Sequence, residues 1–270
     1  MPPWVISKMA LKIEMKGRTK WCATRVFAHD TIDSTNDEAL RQINAGAGHG
    51  TLIISDEQTA GHGRNNRSWH SPAGDNIYMT LILCPRVPME AVSMITLVMG
   101  MAVASGIEEY TGITAEIKWP NDVLVSGRKV CGILTGMIEK DSSPYVYTGV
   151  GINVNGETFP EELADKATSL RRALGRKLEA GGLAESVLAE FERLYDLFEE
   201  AGNLRPLAVE YNRRLVNAGK TVRVLDPAGE YEGQALGIDE TGELLVKRNG
   251  EVQRVLSGEV SVRGADGSYI

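Results

Sequence analysis

The chain has 270 residues and a formal net charge of −7 at pH 7, with apolar and charged fractions, 43% and 24%, that are typical of soluble globular proteins. The negative net charge argues against a dedicated nucleic-acid binder, whose affinity depends on neutralising phosphates. Three scattered cysteines, Cys22, Cys84 and Cys131, have no CxxC spacing and predict neither a disulfide framework nor a zinc site. We therefore expect a cytoplasmic protein with one sizeable domain and a smaller one.

The N-terminal region and one apolar stretch bear on membrane association. Residues 1–24 form a basic lead-in, and its charged side chains interrupt any apolar core that a signal peptide needs. The stretch 91–107 is the only one with a membrane-like composition, and it is a little shorter than the roughly 20 residues that span a bilayer. We predict a buried core helix there and no membrane partner.

Apolar periodicity divides residues 25–216 into strands and helices. Strands are predicted at 25–28, 51–55, 76–84, 114–119, 123–125, 129–138 and 145–155. A helix is predicted to open with a capping box formed by Thr35 and Glu38. A long inner helix is predicted at 89–110, and a helical pattern covers 182–215, with a shorter second helix opening at Pro206.

The pattern of apolar and turn-forming residues changes after about residue 216. Five short strands are separated there by turns rich in Gly, Asp and Asn, and they are predicted at 221–225, 231–238, 243–247, 252–256 and 260–263. The chain is therefore predicted to be an α+β protein. A mixed β-sheet with flanking helices occupies residues 25–216, and a small SH3-like β-barrel occupies 217–270.

The loop at residues 56–69, called the central loop below, has a composition that no regular element needs. Its glycines let the backbone approach a ligand closely or adopt φ > 0. Arg64 and Arg67 supply guanidinium forks that suit carboxylates and phosphates, and Trp69 suits a lid or an anchor against an apolar ligand. We interpret the loop as one that folds over an anion, and an exposed polar loop is the alternative.

Six short motifs follow one another along the chain. They are 33–36 (Asp-Ser-Thr-Asn), 58–69 (opening Gln-Thr-Ala-Gly-His-Gly-Arg), 118–122 (Lys-Trp-Pro-Asn-Asp), 128–134 (Arg-Lys-Val-Cys-Gly-Ile-Leu), 149–153 (Gly-Val-Gly-Ile-Asn) and 257–263 (Ser-Gly-Glu-Val-Ser-Val-Arg). Each motif is weak alone. All of them in this order and spacing closely resemble biotin–protein ligases (biotin–[acetyl-CoA-carboxylase] ligases), over about residues 25–263.

The resemblance implies two reactions in one site. Biotin and ATP give biotinyl-5′-adenylate and pyrophosphate, with Mg²⁺ on the phosphates, and a lysine of a biotin carboxyl carrier protein or domain then takes the biotin and releases AMP. A homodimer is plausible because a sheet edge can pair with its twin. Some relatives also repress transcription through an N-terminal winged helix, but about 24 residues are too few for a domain of roughly 60, so we predict no DNA binding.

The resemblance also assigns candidate site residues. Biotin-binding residues are expected to be Ser34, Thr35, Asn36, Gln58, His62, Gly63, Arg64 and Lys129. Nucleotide-binding residues are expected to be Arg64, Arg67, Trp69, Lys118, Asn121 and Asn153, and no metal-ligating residue is expected. Arg64, Lys129 and Asp122 are the catalytic candidates: the two cations offset the charge on the reacting phosphate, and Asp122 orients the incoming amine and helps to deprotonate it.

Structural roles remain open for several candidates. Helix capping explains residues 34–36 as readily as ligand binding does, and an Asx turn explains Asp122. Asn153 is also suited to cap the end of a strand, and His62 to face solvent. Trp119 is expected in the core, and Gly149 and Gly151 are expected to mark close backbone approach rather than a dinucleotide-binding turn.

Two positions depart from the pattern of many relatives. His62 stands in place of an arginine and Asn66 in place of a glycine, which puts retention of the adenylate in doubt because a neutral histidine carries less charge. One alternative is a lipoate–protein ligase, although its Arg-Arg-x-Ser-Gly-Gly-Gly loop is missing. Another is a non-catalytic biotin-binding regulator. A P-loop NTPase is excluded because GxxxxGK[ST] does not occur.

Overall fold

A computed structural model of the chain describes residues 18–65, 67–74, 76–226, 229–257, 260–265 and 268–269. Most of the predicted lead-in, and Asn66, lie outside the described residues. The described chain forms a seven-stranded sheet and a five-stranded sheet. Helices accompany the first sheet, as predicted for an α+β fold.

The first sheet is mixed. Its strands are β1 (Arg25–Ile32), β2 (Thr51–Gln58), β3 (Ile77–Leu83), β4 (Glu116–Lys118), β5 (Asp122–Val125), β6 (Arg128–Lys140) and β7 (Ser143–Ile152). Their order across the sheet is β1-β2-β3-β7-β6-β5-β4. β1 and β2 are parallel, and the remaining neighbours are antiparallel. All seven residues of β3 are buried, as its continuous apolar run predicts.

Helices pack against this sheet and against one another. They are α1 (Thr35–Asn44), α2 (Ile95–Thr111, after a 3₁₀ turn at Met89–Met94), α3 (Leu170–Leu174), α4 (Ala180–Ala201) and α5 (Ala208–Arg214). The segment Met89–Thr111 is long and apolar enough to cross a membrane, but 78% of its most apolar window is buried inside the protein. Gly106 of α2 lies so close to α4 that a Cβ there would be 2.8 Å from the backbone of Val187. The predicted core helix is therefore confirmed.

The predicted capping box at the start of α1 is wrong. Ser34 is the N-cap, and its Oγ accepts a hydrogen bond from the backbone N–H of Asn36 at 3.2 Å. Thr35 is the first helical residue. The Glu38 carboxylate accepts from the side chain of Arg41 at 2.6 Å instead of returning to the cap. A local arginine competes successfully for this carboxylate because a charged donor binds more strongly than a backbone N–H.

The C-terminal unit is an antiparallel sheet. Its strands are β8 (Thr221–Leu225), β9 (Tyr231–Ile238), β10 (Leu244–Arg248), β11 (Glu251–Val255) and β12 (Ser261–Gly264), in the order β11-β10-β9-β8-β12. The five predicted strands are confirmed, with ends displaced by at most one residue. Closure into an SH3-like barrel, and the predicted boundary between residues 216 and 217, stay predictions.

Specific contacts connect the two units. Trp119, buried as predicted, donates its Nε1–H to the carbonyl of Gly242 at 3.1 Å. The Asn212 amide donates to the Ile238 carbonyl at 2.9 Å and accepts from the N–H of the same residue at 2.7 Å. The two units also contribute to one cluster of buried apolar side chains.

The described end of the lead-in is fixed to α4. The Glu192 carboxylate accepts backbone hydrogen bonds from Lys20 at 2.7 Å, Trp21 at 2.8 Å and Cys22 at 2.8 Å. Cys22 is buried, and burial raises the pKa of its thiol well above the ordinary value. All three cysteines are free.

Candidate functional site

Two cavities adjoin at the central loop. The smaller has a cavity volume of about 50 Å³ and the larger about 500 Å³. Both are lined by Gly63, Arg64, Trp69, Asn121 and Lys129. Two ligands, or two halves of one ligand, can therefore meet where these residues lie.

The smaller cavity brings the predicted biotin-binding residues together. All eight line it, namely Ser34, Thr35, Asn36, Gln58, His62, Gly63, Arg64 and Lys129. Ile133, Leu134 and Val150 add apolar surface that the sequence analysis did not assign to the site. A cavity that combines an apolar patch with a wall of polar side chains suits a small organic ligand that has both an apolar body and a polar head.

Hydrogen bonds fix the polar wall of the smaller cavity. Gln58 Oε1 accepts from the backbone N–H of Thr35 at 2.8 Å and from its hydroxyl at 3.1 Å, and Gln58 Nε2 donates to Ser71 Oγ at 2.9 Å. The Thr80 hydroxyl donates to Asn36 Oδ1 at 2.7 Å. Ser34 both caps α1 and lines the cavity. Capping and ligand contact are therefore compatible roles at the start of α1.

Glycines on β6 and β7 let side chains lie directly on the sheet. A Cβ at Gly149 would be 2.2 Å from Asn36 Oδ1, and one at Gly151 would be 2.3 Å from Trp69 Nε1. A Cβ at Gly132 would be 2.9 Å from Trp69 Cζ3. The predicted close approach at Gly149 and Gly151 is confirmed. Among the described residues, the buried Trp69 Nε1–H has no protein acceptor.

Cations dominate the larger cavity, although the whole chain is acidic. Its basic lining residues are Arg64, Arg67, Lys118, Lys129, Lys166 and Arg263, and its acidic ones are Asp122 and Glu157. The six predicted nucleotide-binding residues all line it. Such a concentration of positive charge attracts an anionic ligand such as a polyphosphate.

Asp122, on β5, is buried among basic groups. Its Oδ1 forms an ion pair with Lys129 Nζ, and its Oδ2 accepts a hydrogen bond from the Tyr269 hydroxyl. Burial alone would raise the pKa of this carboxyl group, but the ammonium groups of Lys129 and Lys118 hold its pKa below the ordinary value. The site therefore contains a carboxylate that is ionised and oriented before any ligand binds.

Lys118, at the end of β4, is only 4% exposed. Burial lowers the pKa of its ammonium group to about 8; Arg263, Lys129 and Arg64 act in the same direction, whereas Asp122 opposes them. Lys118 consequently changes its charge at mildly alkaline pH.

Arg64 connects the central loop to both units. One Nη donates to Asn121 Oδ1 at 3.0 Å, and the other donates to the carbonyls of Ser257 at 3.0 Å and Val260 at 3.2 Å. The guanidinium also lines both cavities. It therefore lies where the two cavities meet the C-terminal unit.

Three other candidate site residues, His62, Arg67 and Asn153, each line one of the two cavities. His62 Nε2 lies 2.9 Å from Asp37 Oδ2, and the imidazole is 47% exposed. Arg67 is exposed. Asn153 follows β7 and donates to the Thr168 carbonyl at 3.3 Å, so it fastens the end of this strand as well as lining the larger cavity.

Other residues of the larger cavity escaped the sequence analysis. They are Tyr269 and the segment that carries Phe159 and Leu163. That segment has no apolar period, and Tyr269 stands in no motif, so no local signal marked them. Among the described residues, no group of three or more His, Cys, Asp or Glu side chains is arranged to hold a metal ion.

Comparison with known proteins gives the class of protein. Residues 28–153 match the Biotin/lipoate A/B protein ligase family, and residues 218–263 match the Biotin protein ligase C terminal domain. The two matched ranges place the chain in the biotin and lipoate ligase class.

Individual relatives narrow this class. The Bifunctional ligase/repressor BirA of Bacillus subtilis is 38% identical over 94% of this chain and 77% of its own length. The biotin--[acetyl-CoA-carboxylase] ligase of Mycobacterium tuberculosis is 34% identical, over 84% of this chain and 85% of the relative. The biotin protein ligase of Aquifex aeolicus, solved in complex with biotin and ATP, superposes with a TM-score of 0.80 at 30% identity, covering 90% of this chain and 100% of that one. The chain belongs to the biotin protein ligase family.

Proposed function

We propose that this chain is an ATP-dependent, AMP-forming biotin–[acetyl-CoA-carboxylase] ligase. In the first step a carboxylate oxygen of biotin attacks the α-phosphorus of ATP, the bond to the β-phosphate oxygen breaks, and pyrophosphate leaves. In the second step a lysine amine of a biotin carboxyl carrier domain attacks the acyl carbon. The acyl–oxygen bond then breaks, AMP leaves, and the amine proton passes to a base.

One observation carries this proposal: a small, polar-walled cavity adjoins a large cationic one, and Arg64 and Lys129 line both. A carboxylate in the first and a triphosphate in the second repel each other. Two fixed cations at the junction offset that repulsion and stabilise the charge that develops on the α-phosphate. In this reaction a phosphate oxygen replaces the Ser257 and Val260 carbonyls as the partner of the Arg64 guanidinium.

The second step needs a neutral amine, because an ammonium group has no lone pair with which to attack. Asp122 is the carboxylate of the larger cavity that lies among Lys118, Lys129 and Tyr269. It orients the incoming amine and accepts its proton, directly or through water. Enclosure by the central loop protects the mixed anhydride from hydrolysis until the amine arrives.

Mg²⁺ enters with the nucleotide. The described residues offer no carboxylate cluster of their own for it, and Mg²⁺ commonly binds substrate phosphates while it keeps several waters. It neutralises part of the phosphate charge when it is bound. The location is the cytoplasm, where biotin, ATP and carrier domains meet. Homodimerisation would use an edge of the first sheet, where β1 is the outermost of the described strands.

The test is incubation with biotin, ATP, Mg²⁺ and a biotin carboxyl carrier domain, followed by mass spectrometry of the carrier. We expect the mass to rise by one amide-linked biotin, and omission of ATP to abolish the rise. A parallel incubation with lipoate in place of biotin tests the alternative substrate. The match to the Biotin protein ligase C terminal domain favours biotin. A chain that binds biotin but catalyses no ATP–pyrophosphate exchange would be a non-catalytic regulator instead.

Replacing Gly149 should weaken biotin binding. In Gly149→Ala the new Cβ displaces Asn36, whose Oδ1 would be 2.2 Å away, and the hydrogen bond from Thr80 is lost. We expect the KM for biotin in ATP–pyrophosphate exchange to rise by about tenfold, which corresponds to about 1.4 kcal/mol. Gly48→Ala is the control, because nothing lies within 4 Å of a Cβ there. An unchanged KM for biotin would contradict the assignment of Asn36 to the biotin-binding residues.

The use of ATP should depend on pH through Lys118. Its pKa is lowered to about 8, so the side chain is a cation below that pH and loses its charge above it. We expect kcat/KM for ATP in the exchange reaction, which contains no amine acceptor, to fall by up to about tenfold as the pH rises through this value. Lys118→Arg should abolish the fall, because arginine stays charged. A profile that is identical in the variant would exclude Lys118 as its cause.

A further inference from the structure

Tyr269 closes one side of the larger cavity. Its hydroxyl donates to Oδ2 of Asp122. Its ring is in contact with two cations, since Lys118 Nζ lies 4.3 Å and the Arg263 guanidinium carbon 5.1 Å from the ring centroid. These attractions between a ring and two cations hold the phenol on the carboxylate.

Both oxygens of Asp122 are engaged in this arrangement. Lys129 pairs with Oδ1, and Tyr269 donates to Oδ2. Lys129 is part of β6 inside the sheet, whereas Tyr269 follows the last strand of the C-terminal unit. An amine that approaches Asp122 displaces Tyr269 more readily than Lys129, because it replaces a neutral hydrogen-bond donor rather than the partner of an ion pair.

We infer that Tyr269 is a gate for the acceptor lysine. It occupies Oδ2 of Asp122 while no acceptor is present and leaves when a lysine enters. This inference rests on the proposed role of Asp122 in the transfer step. The ligand class is a primary amine on a flexible methylene stem. Such an amine offers the carboxylate a hydrogen-bond donor, as the phenol does, and its stem is narrower than the ring that it replaces.

The chemistry of the contact favours the amine over the nucleotide as the competitor of Tyr269. A phosphate is repelled by Asp122 and gains nothing from a position that a hydrogen-bond donor occupies. An amine is attracted to the same oxygen. The gate therefore acts on transfer to the carrier more strongly than on formation of the adenylate.

The experiment measures both half-reactions in Tyr269→Phe, which keeps the ring but has no hydroxyl. We expect kcat/KM for the carrier domain to rise by about tenfold, because the acceptor no longer competes with a charge-assisted hydrogen bond. Biotin-dependent ATP–pyrophosphate exchange should change by a much smaller factor than transfer does, because the ring that contacts Lys118 and Arg263 is kept. Tyr231→Phe is the matched control, because its ring also contacts a cation, Arg248 at 5.0 Å, in the same unit.

A double-mutant comparison ties the effect to the carboxylate. In an Asp122→Asn background, Tyr269→Phe should give no gain in transfer. A fall in transfer in Tyr269→Phe, a parallel change in exchange, or a gain that persists without the carboxylate would each overturn the gate. A wild-type chain without either half-reaction would overturn the proposed function and the gate with it, whereas both activities without a gain in Tyr269→Phe would overturn the gate alone.

Discussion

Lys129→Ala should lower the rate of biotin-dependent ATP–pyrophosphate exchange by about 10²- to 10³-fold, the loss that follows removal of one preorganised group from the transition state. Lys129 is the cation that lines both cavities and pairs with Asp122. Its removal takes away positive charge from the junction at which biotin and ATP react. The rate is measured by incorporation of labelled pyrophosphate into ATP.

The control for this prediction lies on the same strand. Lys140 is near the far end of β6, where its Nζ donates to the Ile43 carbonyl at 2.6 Å, so Lys140→Ala should keep the wild-type exchange rate. Circular dichroism of Lys129→Ala must show a folded chain, because loss of one partner leaves the Asp122 carboxylate buried with less compensation. A folded Lys129→Ala protein with normal exchange would contradict the catalytic assignment.

Glu192→Ala should reduce the free energy of unfolding by about 3 kcal/mol, since a buried, charged acceptor of several hydrogen bonds is lost. The carboxylate, on α4, accepts from the backbone N–H groups of Lys20, Trp21 and Cys22. Without it these donors must return to water, and the packing of Trp21 and Cys22 against the core loosens. Urea unfolding gives the change as a lower midpoint with a similar slope.

Glu190→Ala provides the comparison, one half-turn earlier on the same helix. Glu190 pairs with Arg193 at 2.8 Å, and the arginine side chain is 56% exposed. Ion pairs of this kind contribute about 0.5 kcal/mol or less. Equal losses in the two variants would show that Glu192 acts only as another surface charge.

The local pattern of apolar residues predicted many of the helices and strands correctly. It failed where tertiary contacts determine whether an element forms or where it ends. The buried run of β3 and the inner helix α2 follow from apolar composition alone. α3 has five residues, too few to show a helical period, and it was missed. β1 continues four residues beyond its predicted end, through His29 to Ile32, because pairing with β2 outweighs the polar character of that segment.

The candidate site divides in the same way. Motif order and family resemblance grouped residues of the two cavities, and the structure brings those residues together. The long-range hydrogen-bond partners of these residues could not be predicted from local motifs. Arg64 contacts Val260 across 196 positions, and Tyr269 contacts Asp122 across 147. These pairs are created by chain topology, which no short-range pattern in the sequence encodes.

The hydrogen bonds that cross between the two sheets have a practical consequence for anyone who dissects this enzyme. Trp119 donates to the Gly242 carbonyl, Arg64 to the Ser257 carbonyl and Asn212 to the Ile238 carbonyl. A fragment that ends near residue 216 would expose these donors without acceptors and would open the shared apolar cluster to solvent. We therefore expect one cooperative melting transition for the intact chain, and deletion of the small sheet should impair folding of the larger part as well as its chemistry.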